Sequence, residues 1–114
     1  MKYLNRIDAV AFQRFYLIGN AGQRIEMTLR FLPTQESWMM DIKYLDFELN
    51  GIMVVASPNL LRAFKKIIPF GIVCNCPDEV DPAFINDFSS QRCNLYLLSA
   101  AEVDEMEEKI FLNV

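Results

Sequence analysis

The chain has 114 residues, 53% of them apolar, which is enough for one domain with its own core. No apolar run reaches the ~18 residues of a membrane-spanning helix, and with a formal net charge of −4 and no basic stripe, direct nucleic-acid binding is not expected. There is no histidine, which removes Ser–His and Cys–His nucleophilic catalysis, histidine general-base chemistry and histidine metal ligation together.

The N-terminal residues, Met1 to Asp8, carry no uninterrupted apolar stretch and no small-residue cleavage site, so no secretory signal is expected. Residues 11–18 form the first strand signal and end in the turn cluster Gly19-Asn20-Ala21-Gly22. In residues 24–31, Ile25, Met27, Leu29 and Phe31 alternate with Arg24, Glu26, Thr28 and Arg30. That is a strand with one dry face and one wet face. The short Gly-containing link makes the two an antiparallel hairpin.

Pro33 to Ser37 interrupts the pattern, and residues 38–43 resume it with Trp38, Met40 and Ile42 on one face. Asn50-Gly51, between residues 47–49 and 52–55, predicts a hairpin turn with positive φ at both central positions. Residues 58–66 are expected to form about two helical turns capped by Asn59, with Leu60, Leu61 and Phe64 inward and Arg62, Lys65 and Lys66 outward. Pro69 ends them. Residues 72–74 and 94–98 are strands, and residues 75–92 read as loop.

Ser99-Ala100-Ala101-Glu102 fits a capping box and opens a short acidic helix through about Lys109, before the apolar end Ile110-Phe111-Leu112. This tally gives an all-β fold, a small antiparallel β-sandwich or barrel of six to seven strands. It adds one short crossover helix and a short C-terminal helix.

The chemistry-bearing side chains are few. Cys74, Cys76 and Cys93 are odd in number and lack the four-ligand spacing of structural zinc sites; buried free thiols are expected, in an intracellular setting. Asp78, Glu79, Asp81 and Asp87 share one loop without calcium-loop spacing and read as a solvated acidic segment. No metal, cofactor or catalytic residue is expected. A small hydrolase built on Asp78, Glu79 or Asp81 is the third-ranked reading, because no spacing selects a carboxylate pair.

Charge is distributed unevenly. Residues 1–99 are neutral overall, and the whole net charge lies in residues 100–114, where Glu102, Asp104, Glu105, Glu107 and Glu108 face only Lys109. The compact basic group Arg62, Lys65 and Lys66 is opposite in sign to this tail. These three residues and the apolar Ile110, Phe111 and Leu112 are the candidate partner interface. The apolar content exceeds the ordinary ~45–50%, which leaves surface for a partner.

Several segments together resemble a known family. They are Phe12-Gln13-Arg14-Phe15-Tyr16-Leu17, Gly22-Gln23-Arg24-Ile25-Glu26-Met27-Thr28-Leu29, Trp38-Met39-Met40-Asp41-Ile42 and Gly51-Ile52-Met53-Val54-Val55. Asn59-Leu60-Leu61-Arg62, Phe70-Gly71-Ile72-Val73, and Arg92 with Leu95-Tyr96-Leu97-Leu98-Ser99 complete the set. In order and spacing the chain resembles the small baseplate plug proteins of contractile-tailed bacteriophages, described as cyanophage baseplate network plug-like.

The resemblance covers residues 8–102 as a plug-like β domain and leaves 103–114 as an acidic and apolar extension. It implies a non-enzymatic structural protein of the virion tail baseplate, assembled in the host cytoplasm. Its implied partners are hub, spike, tube or wedge proteins, met in several symmetric copies, with no direct nucleic acid and no membrane. The alternative is a small β-barrel binding module or a viral assembly chaperone, for which the Met and aromatic content would line an apolar pocket.

Overall fold

The structure is a computed structural model that describes residues 1–19 and 21–112, the side chains of 110–112 excepted. Its elements are β1 (Lys2–Tyr3), β2 (Phe12–Ile18), β3 (Arg24–Leu32), β4 (Ser37–Tyr44), β5 (Phe47–Met53), a 3₁₀ turn (Arg62–Phe64), β6 (Phe70–Asn75), β7 (Asn94–Ser99) and α1 (Ala100–Leu112). The strands form two antiparallel sheets, one in the order β2-β3-β4-β5 and one in the order β1-β7-β6. Among the described residues the sheets do not close into a barrel.

Alternation decides which faces meet. Ile25, Met27 and Leu29 of β3 and Trp38, Met40 and Ile42 of β4 are buried, while their sequence neighbours Glu26, Arg30 and Asp41 stay partly in solvent. The buried side chains of β3 and β4 share a single apolar core with Phe70, Ile72 and Cys74 of β6 and Leu95 and Leu97 of β7. Tyr44 meets Phe70 edge-on at 5.4 Å across the two sheets, and Phe47 lies 5.9 Å from Phe64 of the 3₁₀ turn.

Two local expectations are corrected. Asn50-Gly51 is no hairpin turn: β5 runs straight through it, and the chain reverses earlier, between Tyr44 and Phe47. The register between β4 and β5 shifts there, so one extra β5 residue bulges opposite Asp41. Gly51 supplies the positive φ (73°) and donates its N–H to Asp41 Oδ1 at 2.8 Å. Leu45 takes the left-handed conformation (φ 53°) at the actual turn.

The crossover, in turn, is one 3₁₀ turn rather than two α-helical turns. Asn59 is used to bond β6 and not to cap a helix. Its buried side-chain carbonyl accepts from Leu61 N at 3.0 Å and from Ile72 N at 3.1 Å, while Leu60 N donates to Ile72 O at 2.8 Å. The crossover is thereby sewn onto the edge of β6, where Ser57 and Cys74 also exchange backbone bonds. Gly71 makes this approach possible, since a Cβ there would lie 2.7 Å from Asn59 Oδ1.

The capping box forms in both directions. Glu102 N donates to Ser99 Oγ at 3.2 Å, and Ser99 N donates to Glu102 Oε1 at 3.1 Å. The helix continues past Lys109 to Leu112, so residues 110–112 extend α1 instead of leaving it. Ile7, from the segment after β1, and Val103 of α1 are both buried.

Asn59→Ala is expected to lower stability by about 2–4 kcal/mol, because it strands two buried N–H donors at once. Gly71→Ala should lose a similar amount through the Asn59 contact. Urea unfolding of both variants checks this; a loss under about 0.5 kcal/mol in Asn59→Ala would mean that the two donors find other partners.

Candidate protein–protein interface

The basic group predicted from sequence is partly engaged within the chain. Glu107 of α1 is held by Arg62 (Nε to Oε1, 2.8 Å; Nη2 to Oε2, 3.2 Å) and by Lys65 (Nζ to Oε2, 3.0 Å). The Arg62 and Lys65 hydrogen bonds hold the Glu107 carboxyl below the usual glutamate range. The acidic tail therefore meets the crossover of its own chain at this point.

Lys66 has no ion pair among the described residues and is exposed. It lines an open cleft of about 500 Å³ with Lys65, Ile67, Leu45 and the start of α1. Leu45 and Ile67 are 76% and 60% exposed, so the cation is set in apolar surface. The side chains of Ile110, Phe111 and Leu112 lie outside the described residues.

A second surface was not singled out from sequence. The outer face of β2 exposes Phe12, Tyr16 and Ile18 beside Arg14. Arg14 reaches Glu26 at 3.2 Å, Arg30 pairs with Asp41 at 3.0 Å, and the Arg14 and Arg24 guanidinium groups lie 6.0 and 5.8 Å from the Phe12 and Tyr16 ring centres. Aromatic side chains set among arginines are the composition of interface hot spots. β2 is also an edge strand of its sheet.

A third surface corrects the reading of the acidic loop as merely solvated. Asp87 is buried, and its carboxylate accepts from Arg92 (Nε to Oδ1, 2.9 Å; Nη2 to Oδ2, 2.8 Å) and from the backbone N–H groups of Ala83 (2.7 Å) and Phe84 (2.8 Å). Arg92 Nη1 also donates to Asp78 at 3.0 Å and to Val80 O at 3.0 Å, and Nη2 donates to Asp81 O at 3.1 Å. Asp81 accepts from Ala56 N at 2.9 Å.

The loop is thus folded around one guanidinium, and Trp38 Nε1 donates to Phe84 O at 3.0 Å from below. Val80, Phe84 and Ile85 remain exposed on this fixed loop. The signal available in the sequence was a lone arginine directly after a stretch holding three aspartates.

The thiols are buried: Cys76 Sγ donates to Cys93 Sγ at 2.9 Å, and Cys74 lies 3.8 Å from Cys76. Burial pushes the Cys74 and Cys93 thiols well above the usual range, so they stay protonated. Among the described residues no three His, Cys, Asp or Glu side chains are grouped to hold a metal. No described helix is long and apolar enough to cross a membrane.

A family profile described as cyanophage baseplate Pam3 plug gp18 matches residues 1–100. The chain belongs to this phage baseplate plug family. The match spans both sheets and the arginine-held loop, and it ends at the first residue of α1. No curated protein matches the chain. Membership makes this a structural protein of the phage tail baseplate, consistent with surfaces that carry exposed apolar side chains.

Because Arg92 bonds hold Asp87 at a pKa of about 2, below its ordinary 3.8, the pair stabilises the fold above pH 4. That contribution, about 2 kcal/mol, is lost as pH falls from 4 through 2. Asp87→Asn should be less stable at neutral pH and show a flatter fall over that window. Urea midpoints measured against pH check both, and an unchanged slope would remove Asp87 as the cause.

Proposed function

We propose that this plug links the central hub and spike of the baseplate to the surrounding tube or wedge proteins, in several symmetric copies. It is a β-sandwich brace with no enzymatic role, assembled in the host cytoplasm and carried in the virion tail. The plug-like β domain, residues 8–102, is the brace, and residues 103–114 are an added docking extension.

One observation carries this reading: two distinct apolar surfaces on one domain. Phe12, Tyr16 and Ile18 stand on the outer face of an edge strand, and Val80, Phe84 and Ile85 stand on the loop held by Arg92. A bridging part needs two faces that engage different neighbours, whereas a carrier of one ligand needs one. The third contact is the crossover, with Lys66 of the Arg62, Lys65 and Lys66 group foremost, together with Ile110, Phe111 and Leu112. Holding both apolar sets on ordered backbone reduces the ordering cost of docking.

Cross-linking mass spectrometry of purified virions is expected to place Lys66 and the N-terminus against baseplate proteins. Tyr16→Asp and Phe84→Asp, each on an exposed side chain, should lower incorporation into particles by ~10-fold or more without unfolding the domain. Virions that lack the protein altogether would refute the proposal.

A further inference from the structure

The β1–β2 side of the molecule carries a groove that shares Arg14 and Tyr16 with the β2 surface described above. It has a volume of about 420 Å³ and lies between the segment Lys2–Ile7 and β2. Leu4, Ile7, Phe15, Leu17 and Met27 form its apolar floor, and Lys2, Arg6 and Arg14 stand at its rim. No carboxylate lines it. Arg14 is shared with Glu26, while Lys2 and Arg6 have no ion pair among the described residues.

We infer that this groove binds the acidic–apolar C-terminal segment of a second copy of this chain. Charge complementarity selects the occupant. Residues 1–99 are neutral overall, whereas Asp104, Glu105 and Glu108 are exposed on α1 and lead into Ile110-Phe111-Leu112. This is the combination the groove calls for, carboxylates for the rim and large apolar side chains for the floor.

Geometry selects another copy over the same chain. α1 begins beside β1, where Glu102 pairs with the N-terminal amine, and five residues later Glu107 is pinned to Arg62 and Lys65. That crossover is sewn to β6 and packs on β5, at the edges of the two sheets opposite β1 and β2. The helix therefore runs away from its own groove. A contact from the β5–β6 side of one copy to the β1–β2 side of the next is heterologous, and repeated it builds a ring if the rotation closes and an open filament if it does not.

The test uses the full chain in sedimentation velocity. The wild type is expected to self-associate, and more weakly as salt rises. Lys2→Glu with Arg6→Glu, or Asp104→Lys with Glu105→Lys and Glu108→Lys, should each weaken association by at least ~10-fold, or about 1.4 kcal/mol. An equimolar mixture of the two variants should recover association, because the wild-type tail fits the wild-type groove and the reversed tail fits the reversed groove.

Circular dichroism confirms that each variant is folded; Lys2→Ser with Arg6→Ser replaces the reversal if it is not. A wild type that stays monomeric at its solubility limit overturns the inference, as does association that both variants leave intact. The groove contact and the baseplate role fail separately: a monomeric plug still found in virions would sink only the former.

Discussion

A buried aspartate that must have its arginine organises much of this plug. Asp87 is withdrawn from water, and a carboxylate there is tolerable only with full compensation. Arg92 supplies two of the bonds, and the N–H groups of Ala83 and Phe84 supply the others. The same guanidinium gathers Asp78, Val80 and Asp81, so a segment with no strand or helix acquires one conformation. Phe88 then packs against Trp38 at 5.4 Å, and the end of the shared core is closed. The exposed Val80, Phe84 and Ile85 inherit that rigidity.

A second polar device acts at the other end of the core. One side-chain carbonyl, that of Asn59, replaces a stretch of backbone ladder by accepting from both the crossover and β6. The crossover is held in turn against α1 by Glu107. The acidic helix is therefore a composite part. Its capping box and Glu107 fasten it to the domain, while its other carboxylates face outward. Fixing the helix in this way gives its outward charges a defined direction, which a loose tail would lack.

Much of the β architecture was legible because it is written in short-range alternation. Ile25, Met27 and Leu29, like Trp38, Met40 and Ile42, announce a buried face within six residues, and the Ser99–Glu102 box announces α1 within four. Asn50-Gly51 misled because positive φ at glycine serves a bulge as well as a turn; the choice was made by the Asp41 carboxylate on the neighbouring strand. β1 escaped notice because two residues carry no period, and its place depends on pairing with Leu97 and Tyr96 near the other end of the chain.

The sequence by itself determined most of the β architecture and the faces that make its core. It has no histidine, and its strands alternate into one core with apolar residues to spare. Only the tertiary structure decided which charges are fastened and which are presented. Asp87 looked as wet as Asp78 until the chain path brought Arg92 over it, and Arg62 and Lys65 looked free until α1 carried Glu107 back across the crossover. The physical reason is range. Side-chain alternation is set by neighbours two residues away, whereas the partner of a charge is set by where the whole backbone returns.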